Sequence, residues 1–415
     1  MKNTIPVFIP YETKSREFDG KLLLIAHLVN AGFENIFFGS RGATKREAIK
    51  HKKGIYIFKS LSESDISFYK LLKRKKFTIV LLHVEGGIHY KENKDSGDPR
   101  FDLLKEKYRF FFKERYKEIV SRYNKFILVN TSFSLANPEV GKEKLMNFFK
   151  NEKTFSEGVL KKLVKKGAFF DGVLVDYLLA LKECANTFVE TNFVIRPHPS
   201  EALQTYLDCF KEVQNVYVVK EGNVADWILA SIGVMHYDCT TGLEALIAQK
   251  PVIAYVPRVD EEVVAWLPIF MSKRVETIPL LKENIKEILN SSFEDLLYKE
   301  KELDFKAIVN NVADTSSEII LNNLIDLELN GDTQLKLNKR NFVLMNIKDQ
   351  IKSVLIGLKL KEKDNSIYLK KFDSCDKKEV YEKLMILSNI ESFSFDVSLQ
   401  QCGSEMVFIH KNNKK

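Results

Sequence analysis

Cysteine is scarce and scattered in this chain of 415 residues. The five cysteines form no CxxC pair and no cluster with histidine, which argues against a zinc site and against a disulfide framework. No stretch reaches the ~18 uncharged apolar residues that a membrane-spanning helix needs. The first residues lead directly into a strand pattern, without the apolar core and cleavage site of a secretory signal. We therefore expect a cytoplasmic protein.

Internal repeats and low-complexity tracts are also absent. Lys and Arg outnumber Asp and Glu by 64 to 56, and the basic residues are spread along the chain. This distribution gives no nucleic-acid-binding signature, but it suits acidic substrates or peripheral contact with an anionic membrane face. The content of 45% hydrophobic and 29% charged residues is that of a globular protein, and the length predicts two domains plus extra material.

Apolar segments alternate with amphipathic helical segments over most of the chain. The first run predicts strands over Ile5–Ile9, Ile36–Phe38 and Ile55–Phe58. A second run includes predicted strands over Phe126–Asn130 and Phe193–Ile195. Strand–helix–strand repeats of this length imply parallel sheets that are covered by helices on both faces. The sequence therefore predicts an α/β protein with two doubly wound, Rossmann-like domains that face each other across a cleft.

Changes in the pattern suggest where the domains end. We predict an N-terminal Rossmann-like domain over residues 1–102 and a second one, with closing helices, over residues 103–330. Residues 331–415 mix short apolar strands with Lys-rich helices and predict a small accessory α+β extension. No chemistry is recognisable in this extension, so we expect a structural role, with contact to a partner or membrane surface as the alternative.

Two segments of the second domain carry the strongest functional signal, Arg196-Pro-His-Pro-Ser-Glu201 and His236-Tyr-Asp-Cys-Thr-Thr-Gly-Leu-Glu244. Each follows a predicted buried strand, and the second one opens a helix. A helix N-terminus offers N–H donors and partial positive charge, and ligands of open α/β sheets bind at the carboxyl ends of the strands. The sequence therefore predicts a site for a phosphorylated or nucleotide-linked ligand. The residues that we expect to bind this ligand are Arg196, His198, Glu201, His236, Thr240, Thr241 and Glu244.

A purely structural interpretation of these segments stays open. Thr241-x-x-Glu244 is also a capping box, which closes a helix without binding anything. Pro197 and Pro199 would end a strand in any case, and a single histidine at a sheet edge is often structural. The coincidence of two histidines, one arginine and two hydroxyls at consecutive strand ends favours the functional interpretation.

Polar residues also cluster where the strands of the first domain end. Glu85 follows a buried strand and precedes two glycines that let a backbone approach a ligand, so it is a candidate acid/base. Asp102 lies at the crossing between the domains and is a second catalytic candidate. The remaining cleft-side candidates are Lys14, Arg16, Glu17, Arg41 and Arg100. An ordinary solvated helix start, or a structural Arg100–Asp102 pair, is the alternative.

Several motifs in order make the chain resemble the bacterial surface carbohydrate biosynthesis proteins over about residues 5–325. The motifs are Glu12-Thr-Lys-Ser-Arg-Glu-Phe-Asp-Gly, Glu85-Gly86, Gly97-Asp-Pro-Arg-Phe-Asp-Leu-Leu, Phe126-Ile-Leu-Val-Asn-Thr, Arg196-Pro-His-Pro and His236-Tyr-Asp-Cys-Thr-Thr-Gly-Leu-Glu-Ala. These proteins are similar to GT-B-fold glycosyltransferases that are related to the retaining Kdo transferases, which use CMP-activated ulosonic acids.

The resemblance implies a role for each motif. Arg196, His198 and the segment from His236 would bind the nucleotide phosphate and ribose, with Glu244 at the ribose hydroxyls. Glu85 and Asp102 would face the transferred sugar, one as acid/base and the other as nucleophile. The expected activity is transfer of an acidic sugar, Kdo or another nonulosonic acid, from a CMP donor to a surface-glycan or lipid-linked acceptor. Neither a metal nor another cofactor is expected.

Three other functions remain open from the sequence. A polyol-phosphate transferase of the CDP-glycerol type would use a similar His-Pro and Ser/Thr-helix arrangement. A non-hydrolysing UDP-sugar epimerase would share the two-domain shape. A catalytically silent component of a glycan-assembly complex would bind nucleotide without turnover. The nucleotide that stabilises the protein would distinguish among the enzymes.

Overall fold

The computed structural model describes residues 3–59, 65–82, 98–151, 156–290, 315–326 and 374–412. The chain divides into two compact units. The first unit combines Met1–Phe111 with Ile308–Lys415, and the second unit is Phe112–Ala307. Chain ends and middle thus belong to different units.

Each unit is built on one sheet. The strands are β1 (Val7–Tyr11), β2 (Asn35–Ser40), β3 (Ile55–Phe58), β4 (Thr78–Leu81), β5 (Phe126–Asn130), β6 (Asn192–Arg196), β7 (Val216–Val218), β8 (Gly233–His236), β9 (Val252–Tyr255), β10 (Lys273–Val275), β11 (Val397–Gln401) and β12 (Met406–Lys411). The helices are α1 (Lys14–Asn30), α2 (Arg41–Ala48), α3 (Ile66–Arg74), α4 (Pro99–Asp102), α5 (Lys113–Tyr123), α6 (Lys142–Asn151), α7 (Glu157–Thr187), α8 (Leu203–Phe210), α9 (Val224–Ala230), α10 (Thr241–Ile247), α11 (Trp266–Met271), α12 (Ile278–Asn290), α13 (Ser316–Asp326) and α14 (Lys377–Ile390). A 3₁₀ helix over Glu106–Phe112 precedes α5.

The sheet of the first unit has the order β11-β12-β2-β1-β3-β4 among its described strands. Strands β2, β1, β3 and β4 are parallel, and every residue of β1, β2 and β3 is buried because helices cover both faces. The chain leaves β1 toward β2 on one side and then crosses to β3 on the other. Such a reversal of strand order creates a crevice at the carboxyl ends of the strands.

The C-terminal residues complete this first sheet. Strand β12 pairs antiparallel with β2, placing Met406 opposite Gly39, and β11 pairs with β12. A Cβ atom at Gly39 would lie 2.4 Å from the carbonyl oxygen of Glu405, so only glycine allows the strands to approach this closely. The prediction of an accessory extension over residues 331–415 is therefore wrong for the described part of this range. These residues belong to the first unit and cover an edge that β2 would otherwise expose.

The boundary of the second domain also differs from the prediction of 103–330. Helix α13, which was expected to close the second domain, belongs to the first unit. Its N-terminus is held by Asp102, which accepts hydrogen bonds from the backbone N–H groups of Ser316 (3.0 Å) and Ser317 (3.2 Å). This contact spans more than two hundred residues of sequence, so no local pattern predicts it.

The sheet of the second unit is entirely parallel, with the order β10-β9-β8-β5-β6-β7. The chain runs outward from β5 to β7 on one side and then from β8 to β10 on the other. The crevice that this reversal creates lies at the ends of β5, β6 and β8. Together with the first sheet, this topology confirms the predicted fold class of two doubly wound α/β folds.

A large aromatic and aliphatic core lies between the sheet of the second unit and α7. Phe133, Phe170 and Tyr237 meet at ring-centroid distances of 5.9–6.0 Å, and Tyr177 packs edge-on against Phe133. This packing fixes the segments that follow β5 and β8, where candidate binding residues lie. Within the described ranges, no helix has the length and apolarity to cross a bilayer.

Candidate functional site

Three neighbouring strands of the second unit end in polar side chains on the same face of the sheet. Asn130 ends β5, Arg196 ends β6 directly beside it in register, and His236 ends β8. Their neighbours in sequence, such as Ile195 and Val129, point to the opposite face and pack in the core. The topology thus brings polar side chains together at the crevice of this sheet.

The Arg196 guanidinium lies against the loop before α9. Its Nη2 donates to the carbonyl oxygens of Glu221 (3.3 Å) and Gly222, whereas its Nε is buried and has no hydrogen-bond partner among the described residues. Burial lowers the pKa of Arg196 to about 10, and the carboxylates of Asp226 and Glu244 partly offset that effect. The side chain therefore stays positively charged at neutral pH, and its Nε–H is available to a ligand.

Two further buried donors share this condition. Asn130 Nδ2 and Thr241 Oγ1 have no hydrogen-bond partner in the described part of the chain. Thr241 Oγ1 lies near the thiol of Cys239, which is only a weak hydrogen-bonding group. Buried donors are normally paired, and leaving one unpaired costs ~1–3 kcal/mol. Together with Arg196 Nε they make three donors for which an anion would be a suitable partner.

His198 is oriented by the turn that follows β6. Its Nδ1 accepts a hydrogen bond from the backbone N–H of Ser200 at 3.2 Å. In the neutral ring the proton must therefore be on Nε2, which makes Nε2 a donor. The predicted role of His198 as a phosphate ligand stays a prediction.

Glu201 is a buried clamp, contrary to its predicted ligand role. Its carboxylate accepts hydrogen bonds from the Thr131 hydroxyl (2.8 Å), the Phe133 backbone N–H (2.8 Å), the His198 backbone N–H (3.3 Å) and the Tyr206 hydroxyl. Burial raises the pKa of Glu201, and these hydrogen bonds oppose that shift. Glu201 therefore holds the loops after β5 and β6 together without facing a ligand.

His236 is also structural, contrary to its predicted ligand role. The ring is fully buried, its Nδ1 accepts from the Cys239 backbone N–H (3.2 Å), and its Nε2 contacts the Ser272 hydroxyl (2.8 Å). A Cβ atom at Gly242 would lie only 2.4 Å from Nε2, so the ring packs directly against the backbone at the start of α10. The motif around His236 shapes the site, but this ring has no nitrogen left for a phosphate.

The start of α10 differs from a capping box. Thr240 is the N-cap residue, and its side chain makes no capping hydrogen bond. Glu244 is buried in the first turn, close enough to Arg196 for its carboxylate to raise the pKa of the guanidinium. The predicted contact of Glu244 with ribose and the phosphate role of Thr240 stay predictions.

Sequence reasoning missed Asn130 and Asp238. Asp238 accepts a hydrogen bond from the Ser132 hydroxyl (2.6 Å) and one from the Ala265 backbone N–H (3.3 Å), so it ties the loops after β5, β8 and β9 together. Burial raises the pKa of Asp238, partly offset by the Ser132 hydrogen bond. The signal for Asn130 was available, since it directly follows a continuous apolar run that the sequence assigned to a strand.

The crevice of the first unit contains a dense network of charges. Four cations and three carboxylates meet there, at the carboxyl ends of β1, β2 and β3. They are Lys21, Arg41, Lys45, Lys59, Glu12, Glu17 and Asp65. Arg41 pairs with Glu12 (2.9 Å) and Asp65, so the predicted Arg41 does lie at this crevice.

Glu17 is a fixed anion of this network. It pairs with Lys21 (2.7 Å) and Lys59 (3.1 Å). Burial raises the pKa of Glu17, but the two lysines outweigh burial and hold it at about 2. Glu17 therefore orients cations around the crevice.

Two other predicted residues, Lys14 and Arg100, have structural contacts in the first unit. Lys14 donates to Glu379 (2.6 Å) and to the Ser374 carbonyl (2.8 Å), which attaches α1 to the C-terminal segment. Arg100 is buried, lies 3.3 Å from Asp98, and stacks on the ring of Phe101.

Asp102 is fully buried at the N-terminus of α13, so its predicted catalytic role is wrong in this structure. Burial raises the pKa of Asp102 to about 6, against the opposing effect of Lys105. Arg16 is half-buried in the first turn of α1. Glu85 lies outside the described residues, and its acid/base role stays a prediction.

Comparisons with known proteins give fold likenesses alone. No protein-family model and no curated protein sequence matches the chain. The UDP-GlcNAc 2-epimerase of Methanocaldococcus jannaschii, solved with UDP-GlcNAc and UDP, is 11% identical with a TM-score of 0.44, over 79% of this chain and 100% of that one.

Two other solved structures give similar values. The wall teichoic acid polymerase TagF is 10% identical with a TM-score of 0.44, over 80% of this chain and 91% of that one. The UDP-GlcNAc 2-epimerase of Neisseria meningitidis is 10% identical with a TM-score of 0.40, over 79% and 100%. Such values carry no information on substrate, and the resemblance to surface carbohydrate biosynthesis proteins stays a prediction.

Proposed function

We propose that the chain is a glycosyltransferase that moves an acidic sugar, Kdo or another nonulosonic acid, from a CMP-activated donor to a surface-glycan acceptor. The observation that carries the proposal is the set of three buried donors without partners, on Asn130, Arg196 and Thr241, at the crevice of the second unit. A nucleotide phosphate bound there would offer acceptors to these donors.

The chemistry of transfer suits this donor set. As the bond between the sugar and the phosphate breaks, negative charge develops on the phosphate oxygens. The permanent charge of Arg196 and the Nε2–H of His198 would stabilise that charge, and burial would strengthen each interaction. The clamps of Glu201 and Asp238 hold the loops in place before the ligand arrives, so little reorganisation is needed.

The charged crevice of the first unit supports an acidic substrate. Its four cations exceed its three carboxylates, and the carboxylates hold the cations at fixed positions. A substrate carboxylate could exchange with Glu12 at the partly exposed Arg41, whose side chain is 33% exposed. Glu85 as acid/base, independence from metals, an inner-membrane location and the acceptor belong to the same proposal.

A panel of nucleotides tests the donor. CMP, CDP, UDP and CDP-glycerol are compared by thermal shift on the wild-type chain and on Arg196→Gln. We expect CMP to give the largest stabilisation. Arg196→Gln should lower the affinity for CMP by about ten- to a hundredfold, as for loss of a hydrogen bond to a charged group. Arg258→Gln is the matched control, because Arg258 pairs with Asp176 at the surface of the same unit.

Each other outcome selects a different function. Preference for CDP-glycerol would favour a polyol-phosphate transferase, and preference for UDP would favour an epimerase. Nucleotide binding without turnover of CMP-Kdo or another CMP-activated acidic sugar would favour a silent assembly component. Turnover that EDTA abolishes would contradict metal independence. If no nucleotide stabilises the chain, or if Arg196→Gln behaves like Arg258→Gln, the site is misassigned.

A further inference from the structure

One surface of the second unit lies mostly outside its core. Helix α6 has no buried residue, and α7 has none before Phe170. Short helices in water are held mainly by packing of their apolar face. Phe169, at the end of these stretches, packs against the core, but several of their other apolar side chains remain exposed. We call α6 and residues 156–169 the lysine-rich helical surface.

Apolar side chains on this surface are exposed to solvent. Phe148 is 51% exposed, Val159 is 40% exposed and Val164 is 53% exposed. In α6 the spacing of three and four residues places Phe148 on the same side as its apolar neighbours, and Lys144 and Lys150 flank that side. Lysines at the margins of an apolar stripe suit a membrane interface, because their stems can lie along it while the ammonium groups reach outward.

The charge of the surface is strongly biased. Residues 142–151 and 156–166 contain seven lysines and two glutamates, whereas basic residues exceed acidic ones only by 64 to 56 in the whole chain. Some lysines have acidic partners at the base of the surface, such as Lys142 with Asp171 (2.5 Å) and Lys165 with Glu262 (2.7 Å). These pairs offset only part of the positive charge, because the seven lysines outnumber the two glutamates of the surface and the partners Asp171, Asp260 and Glu262 taken together.

We infer that the lysine-rich helical surface docks the protein on a bilayer that contains anionic lipid. Cationic side chains bring the surface to the negative headgroups, and Phe148, Val159 and Val164 then enter the interface between headgroups and acyl chains. The C-terminal segment, an alternative membrane contact in the sequence, instead completes the first sheet. The inference is independent of which nucleotide the crevice binds.

Vesicle flotation of the full-length chain tests this surface. Vesicles of phosphatidylcholine with phosphatidylglycerol are compared with phosphatidylcholine alone, at low and high salt. We expect binding only to the anionic vesicles, weakening with salt. The double substitution Lys144→Glu/Lys162→Glu should weaken binding at least about tenfold, because each lysine near an anionic membrane adds appreciable affinity. Phe148→Ser should weaken binding that remains at high salt.

The control is Lys125→Glu/Lys211→Glu, which changes the net charge equally at exposed positions outside the surface. Equal losses in the two double variants would overturn the inference, as would equal binding to neutral vesicles. Nucleotide thermal shifts check that the site in the crevice is intact. If Phe148→Ser instead dissociates an oligomer in sedimentation experiments without vesicles, the surface contacts a second copy of the chain and the inference is wrong.

Discussion

Nδ1 of His236 accepts a hydrogen bond from the backbone N–H of Cys239, 3.2 Å away. The proton must therefore be on Nε2, which donates to the Ser272 hydroxyl at 2.8 Å, and that hydroxyl donates in turn to the Pro268 carbonyl at 2.6 Å. The chain of hydrogen bonds is complete with a neutral ring. Burial accordingly lowers the pKa of His236 to about 3.

This neutral histidine makes stability depend on pH. Below a pH of ~6.5 the unfolded chain protonates His236 while the folded chain does not, so stability present above that pH is lost as the pH falls toward 3. The loss approaches ~1.4 kcal/mol per pH unit. We expect the melting temperature of the wild type to fall more steeply between pH 7.5 and 5 than that of His236→Asn. Parallel curves would contradict a buried neutral ring.

Thr241 separates a ligand-binding role from a structural one. Its hydroxyl is buried without a hydrogen-bond partner in the described residues, so Thr241→Val should leave the melting temperature unchanged or raise it. Nucleotide affinity should fall by about tenfold, as for loss of a hydrogen bond to a charged phosphate. Thermal melting and nucleotide titration measure the two effects.

Thr44→Val is the matched control. Thr44 is also buried, but its hydroxyl contacts the Ser40 carbonyl (3.0 Å) and the Tyr56 hydroxyl (3.2 Å). That substitution should lower stability by ~1 kcal/mol and leave nucleotide affinity unchanged. Loss of stability in Thr241→Val without loss of affinity would show that its hydroxyl belongs to the fold.

Local patterns predicted most strands, because burial on both faces produces continuous apolar runs. The runs over Ile36–Phe38, Phe126–Asn130 and Phe193–Ile195 all lie in strands. Helix α7 is continuous although Gly167 and Gly172 lie in its interior. The Arg258 guanidinium packs against Gly172. A Cβ atom at this position would lie 2.4 Å from Nη1 of Arg258, so the contact needs glycine within the helix.

The site was predictable in location but not in the role of each side chain. Position at a strand end follows from sequence, so Arg196 and His198 could be placed at the crevice. Whether a strand-end residue faces a ligand depends on partners far along the chain. Asp102 meets Ser316, and Lys14 meets Glu379, across long separations that carry no local signal. Glu201 likewise meets Thr131 and Phe133, and His236 meets Ser272, far along the chain. These contacts give both residues a structural role.

The pairing of Gly39 with Met406 predicts that the C-terminal strand is essential to the first unit. A Cβ at Gly39 would lie 2.4 Å from the Glu405 carbonyl oxygen and 2.7 Å from Met406 Cα, and neither backbone atom can move without breaking the β2–β12 pairing. Gly39→Ala should lower the melting temperature by several degrees, and removal of residues 374–415 should yield insoluble protein because β2 becomes an exposed edge. Gly42→Ala is the control, since its Cβ would meet only the mobile end of Arg46 at 3.2 Å. Equal melting temperatures for the two variants would contradict this pairing.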